Sequence, residues 1–307
     1  MTLWLWLVLY SAAVLAASLL GGVLPLLVRL THTRTQLMMS LVAGLMLGVG
    51  MFHMLPHAVV HTGSVDRTMA WAVAGLLVMF LLIRAFQFHH HADPEHAPAW
   101  ATGCDEPCPD HHHPHPALAA DPPRGWTWLG VALGMVVHSA IDGMAVASGL
   151  LVQAEGQGTG APGLGIFVAV LLHKPLDALS ITSVMAASGW SRRAQRWANA
   201  AYALVCPLGA VVFFAVAFPQ GALFQQGVGA ALAFSGGVFL CISLGDLLPE
   251  VHFHAHDRIK LSLVLLAGVA LAYAIGYLEP AHYHDHEHQR PGVHRLPDVS
   301  PGHDHVH

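Results

Sequence analysis

Long apolar runs dominate the chain, and their length suits helices rather than strands. A helix needs about 20 predominantly apolar residues to cross the hydrocarbon core of a bilayer. Eight stretches reach that length, at 3–28, 36–60, 68–88, 125–152, 162–188, 195–218, 222–250 and 260–279. They are continuous, without the apolar–polar alternation of a transmembrane barrel strand. The pattern predicts an all-α membrane protein with eight transmembrane helices. The first run, "MTLWLWLVLYSAAVLAASLLGGVLPLLVRL", lacks the positive n-region of a secretory signal and exceeds its usual apolar length of about 7–15 residues. It is read as a retained first span.

Polar segments divide these spans into blocks. Residues 1–88 hold spans one to three, 125–188 spans four and five, and 189–280 spans six to eight. Between them lies 89–124, "HHHADPEHAPAWATGCDEPCPDHHHPHPALAADPPR", rich in His, Pro and acid. Such a composition buries no core and predicts a disordered loop, as does the tail 281–307.

Composition agrees with the pattern. Hydrophobic residues make up 55% and charged residues 10% of the 307, against about a quarter charged in soluble domains. No basic patch with interleaved aromatics is present, so nucleic acid is not an expected partner; the lipid bilayer is. The charges are unevenly spread. Arg29, Arg34, Arg84, Arg124, Arg192, Arg193, Arg196, Arg258 and Lys260 follow odd-numbered spans, and only Arg67 follows an even-numbered one. The positive-inside rule then places the His-rich loop in the cytoplasm and both termini outside; Arg290 and Arg295 in the tail run weakly against this. Usage rich in Ala and Arg points to a bacterial inner (plasma) membrane.

The chain also repeats itself. "GLMLGVGMFHMLPHAV" (44–59) in span two aligns with "GVFLCISLGDLLPEVH" (237–252) in span seven, setting His53 opposite Asp246 and His57 opposite Glu250. Spans four and five form a second matched pair, "HSAIDG" and "HKPLD". The two spans of the first pair run in opposite directions. The arrangement expected is therefore 3+2+3, an inverted repeat of spans 1–3 and 6–8 around spans 4–5, as many transporters are built. His53, His57, Asp246 and Glu250 are expected to form an access pathway or secondary metal site, or a network fixing the bundle.

Chemistry concentrates on spans four and five. Positions i and i+4 share one helix face, so His138 presents its imidazole beside the Asp142 carboxylate, and His173 beside Asp177. Ionisable groups inside a membrane are costly and mark function by default. Two such faces together offer nitrogen and oxygen donors suited to zinc, and also to iron, manganese or cadmium. Pro175 removes a backbone donor and frees the Leu171 carbonyl; Pro207 does the same for Ala203.

These motifs, with "CPLGA" on span six and "LGDLLPEV" on span seven, resemble the ZIP (Zrt/Irt-like) family of divalent metal transporters. The resemblance implies uptake of divalent metal, Zn2+ foremost and Cd2+, Fe2+ or Mn2+ besides, toward the cytoplasm. It carries His138, Asp142, His173 and Asp177 over as metal ligands. Where the family often has Asn, this chain has Ser139, a weaker oxygen donor. Where binuclear members have an acid, it has Lys174, whose ammonium would repel a second metal and pair with Asp142 or Asp177. A single metal in the site is therefore expected. Cys206 stands where a Glu is common and would offer a softer ligand, or be an inert buried thiol. Ile141 replaces a frequent Pro.

In the loop, Cys104, Cys108, His111, His112, His113 and His115 lack the two-pair spacing of a structural zinc fold and suit a loose metal-collecting segment. A homodimer is a further expected assembly. No enzymatic activity is expected, but two other readings stay open. One is a cation-diffusion-facilitator-like exporter, which eight spans disfavour; the other is an intramembrane zinc-dependent hydrolase.

Overall fold

The computed structural model describes residues 2–27, 32–87, 127–153, 161–218, 224–247 and 258–278. The metal-collecting residues proposed for the loop, and the whole His-rich tail, lie outside these. The described residues are almost wholly helical, without strands. The helices are α1 (Leu3–Leu27), α2 (His32–Val49), α3 (Leu55–Thr62), α4 (Val65–Gln87), α5 (Thr127–Gln153), α6 (Leu164–Ala187), α7 (Arg192–Ala203), α8 (Val205–Ala217), α9 (Gln225–Ile242) and α10 (Arg258–Ile275). Among the described residues, seven helical stretches are long and apolar enough to cross a membrane, and Ile259–Ile275 is a shorter apolar helix. Their outer faces expose large apolar residues such as Val8, Leu81, Val212 and Leu263. A chain whose exterior is hydrocarbon and whose backbone bonds close within helices fits a bilayer.

Three spans depart from the unbroken helices expected. The second runs from His32 to Thr62 as α2, a π-helical turn at Gly50–Met54, and α3. Pro56 explains the turn: it cannot donate to the carbonyl four residues back, and the register widens so that the Leu55 N–H reaches the Gly50 carbonyl. The seventh span shows the same device, a π turn at Ser243–Leu247 placed before Pro249 as the first is before Pro56. The sixth starts earlier than expected, at Arg192, and breaks at Leu204 between α7 and α8, where Pro207 leaves the Ala203 carbonyl without its helical donor.

Packing follows a paired plan. α2 lies against α10 and α4 against α9, while α5 lies against α8 and α1 against α6. Exchanging spans 1–3 with 6–8, and span four with five, maps each pair onto another. The close contacts repeat at one constant sequence offset. A Cβ on Gly44 would meet the Leu265 carbonyl, and one on Gly268 the Leu41 carbonyl. Likewise Gly237 abuts the Ala72 carbonyl, and Gly75 that of Phe234. Only glycine permits backbones this close, the usual route to tight helix packing in lipid.

Candidate metal site

The centre of the bundle is where α5 and α6 face each other. α5 reaches it by pressing on α8: a Cβ on Gly143 would strike the Cys206 carbonyl, and one on Gly209, at 2.7 Å, the Ala140 carbonyl. α6 carries Pro175 inside the helix, which leaves the Leu171 carbonyl without its backbone donor beside the site.

Four ligand atoms converge. One atom each from His138, Asp142, His173 and Asp177 lies within 4.8 Å of all the others, in surroundings that are buried or nearly so. His173 Nε2 stands 3.2 Å from Asp142 Oδ2 and 3.8 Å from Asp177 Oδ2. His138 Nε2 stands 3.5 and 3.6 Å from the same two oxygens. Zinc–nitrogen and zinc–oxygen bonds of about 2.0–2.2 Å give a tetrahedron with edges of about 3.3–3.6 Å. The four cross distances fall at or close to that spacing.

Supporting contacts fix the donors. His173 Nδ1 donates to the Ala169 carbonyl at 2.8 Å, which in the neutral ring leaves the Nε2 lone pair facing the cluster. Asp142 Oδ1 and His138 Nδ1 are buried with no hydrogen-bond partner among the described residues. Such polar atoms are expensive in a membrane interior unless an ion or water satisfies them. Ser139 is also buried, next to His138.

Lys174 is the largest fully buried side chain among the described residues, at 1% exposure. Its ammonium donates to Asp142 Oδ2 and, at 3.0 Å, to Asp177 Oδ2. Both carboxylates thus face a fixed cation on one side and two imidazoles on another. Cys206 is buried on α8 but is not among the four converging residues.

Among the described residues, a cavity reaches the site from one end of the bundle. A cavity of about 310 Å³ opens from the ligands and is lined by Met39, Val42, Met46, Met79, Met135, Leu176, Ser180 and Ile242 as well as His138, His173 and Asp177. Met135 precedes His138 by one turn on α5, and Ser180 follows Asp177 by one turn on α6. The cavity therefore runs toward the start of α5 and the end of α6. Toward the opposite end Ala145, Val146 and Leu150 pack with Ile166, Ala169 and Val170, all at 3% exposure or less.

The second proposed cluster is only partly described. His53 sits in the π turn with Nε2 2.7 Å from the Ala272 carbonyl of α10. His57 Nε2 lies 3.1 Å from the Gln153 amide, whose Oε1 accepts the Gly163 N–H at 2.6 Å. The Asp246 side chain and Glu250 lie outside the described residues.

Sequence reasoning missed Tyr202. Its hydroxyl donates to Asp177 Oδ2 at 3.2 Å, and Lys174 Nζ lies 5.8 Å from its ring centroid. The available signal was its spacing: it lies four residues before Cys206, and a buried tyrosine hydroxyl needs a partner.

Comparison with known proteins agrees with this architecture. The family model described as "ZIP Zinc transporter" matches residues 87–276. Zinc transporter ZIP9-B of Xenopus laevis is 25% identical over 323 aligned positions, covering 88% of this chain and 97% of the relative. Zinc transporter ZIP9 of Macaca fascicularis is 30% identical over 132 positions, 41% of this chain and 54% of its own length. Zinc transporter ZIP1 of Homo sapiens is 26% identical over 176, covering 56% and 52%. With the matched model spanning more than half its length, the chain belongs to the ZIP zinc transporter family, and is an integral, multi-pass membrane transporter rather than an enzyme.

Proposed function

We propose that the protein carries one divalent metal ion at a time, zinc foremost, into the cytoplasm through the site formed by His138, Asp142, His173 and Asp177. The observation that carries this reading is the spacing of two imidazole nitrogens and two carboxylate oxygens, 3.2–3.8 Å apart across the pairs, which is close to the edge length of a four-coordinate zinc shell.

Lys174 supports single occupancy. Two carboxylates and one ammonium leave the cluster one negative charge with neutral imidazoles. A divalent ion turns that into one positive charge, whereas a second ion would leave three positive charges away from water, a costly arrangement. Lys174 also gives the carboxylates a partner when no metal is bound, so the emptied site does not hold two bare anions in a low-dielectric interior. Binding is then an exchange in which the metal takes oxygen lone pairs that the ammonium had held. Such balance suits a carrier, which must strip water from the ion and still let it go. Cd2+, which accepts the same donors, fits as an alternative cargo, and Fe2+ and Mn2+ are compatible with the carboxylates.

Inward direction is supported by the end toward which the cavity runs together with the Lys and Arg distribution. The end toward which the cavity runs, where α6 turns into α7, carries Arg192, Arg193 and Arg196. The 3+2+3 inverted repeat is supported by the matched π turns and by the glycine contacts at one offset. The deciding experiment is metal uptake into proteoliposomes with Zn2+, Cd2+, Fe2+ and Mn2+. Uptake abolished by H173A is the expected result, and proton-driven movement in the opposite direction would overturn the inward reading.

A further inference from the structure

We propose that α7 is an anionic-lipid sensor whose far end holds the metal site. The inference rests on the metal reading of the His138–Asp177 cluster. α7 is a single helix of 12 residues, about 18 Å long, and its two ends meet different surroundings. At its start Arg192, Arg193, Arg196 and Trp197 are exposed, with Trp190 exposed just before it. No Asp or Glu stands anywhere between Ser188 and Leu208, so the arginines have no acid nearby in sequence. At its end Asn199 donates to the Leu19 carbonyl, and Tyr202 donates to Asp177 Oδ2 at 3.2 Å.

Three arginines and two tryptophans at the entry to a spanning helix match the chemistry of a phospholipid headgroup region. The guanidinium groups pair with phosphate, and the indoles settle at the water–hydrocarbon boundary. The partner is therefore an anionic phospholipid of the leaflet at this end of the bundle. The helix is also built to shift. Behind it the chain breaks at Leu204, and beside it lies an apolar cleft of about 270 Å³ bordered by Val136, Ile181, Met185, Ala198 and Tyr202 itself. Drawing the arginines toward a negative surface moves Tyr202 against Asp177, and so changes how firmly that carboxylate is held for the ion. Tyr202 is a positioning residue in this scheme.

The test uses the full chain in vesicles of phosphatidylcholine alone or with phosphatidylglycerol. Tryptophan quenching by brominated phosphatidylglycerol is expected to exceed quenching by brominated phosphatidylcholine about twofold. The R192Q/R193Q/R196Q variant should lose that preference and the corresponding lysine variant keep it. Zinc bound at the site, read as the difference between the intact chain and H173A, should change in affinity severalfold between the two vesicles. Y202F should keep the lipid preference and lose the affinity change. Equal quenching by the two lipids, or a preference that survives the glutamine variant, overturns the surface. An affinity change that persists in Y202F overturns the coupling. If H173A binds as much zinc as the intact chain, the metal-site reading fails and takes the coupling with it, while the quenching still decides the surface.

Discussion

Lys174 and His173, neighbours on α6, both reach Asp142 Oδ2 on α5: the ammonium donates to that oxygen, and the imidazole Nε2 stands 3.2 Å from it. One carboxylate oxygen therefore serves both the resident cation and the ligand set for a visiting one. Removing either side of this arrangement has different consequences, which makes it testable.

Deleting ligands should stop transport rather than folding. His173→Ala and Asp142→Ala are expected to cut zinc uptake into proteoliposomes by at least about tenfold, since even outer-shell partners of metal ligands are worth about 10–100-fold. Detergent-solubilised protein should still elute as a single species. Uptake within twofold of the parent would show that the ion passes elsewhere.

Metal content should follow the charge at position 174. With 89–124 and 281–307 removed so that their histidines do not contribute, elemental analysis is expected to give about one tightly held zinc per chain. Lys174→Glu replaces the ammonium with a further carboxylate and should raise the content toward two. A parent protein with two firmly held ions would end the single-metal reading.

Labelling should reveal which face of the site is wet. In a background without native cysteines, Met135→Cys and Ser180→Cys should react with a membrane-impermeant thiol reagent supplied from the cytoplasmic side, because both residues line the open cavity. Ala147→Cys, fully buried on the other side of the ligands, should stay unmodified from either side. Reaction of Met135→Cys only from outside would reverse the orientation.

The glycine contacts predict matched instability. Gly44→Leu and Gly237→Leu place a side chain against equivalent carbonyls, and overpacking of this kind costs roughly 1–3 kcal/mol or more. The two variants should lower the melting temperature in detergent by similar amounts. Gly63→Leu has open space around it but a φ of 68°, so its smaller cost would come from backbone strain alone.

Much of this molecule is legible from residue order because a bilayer demands long apolar runs and makes each buried charge conspicuous. His138, Asp142, His173 and Asp177 stand out for that reason, and i, i+4 spacing fixes which side chains share a face. Spacing does not say what that face meets. His53 reaches the Ala272 carbonyl on α10, a contact that the repeat between spans two and seven does not announce. Residues related by an internal symmetry occupy corresponding places, and the repeat alone does not say which other helices each one meets. Tyr202 was hidden by its break: a helix interrupted at Leu204 does not follow the face assignments of a continuous one. The helix boundaries at Arg192 and Thr62 fall outside the apolar windows because polar residues can be helical where the chain meets water.

The matched glycines also say where this protein can bend. Gly44 and Gly268 key α2 to α10, and Gly75 and Gly237 key α4 to α9, with backbone pressed on backbone in both pairs. Sliding within either pair would drive a Cα into a carbonyl, so each behaves as a stiff stave. Deformation is left to the seams between the staves and the α5–α6 core, which is where the four candidate metal ligands lie.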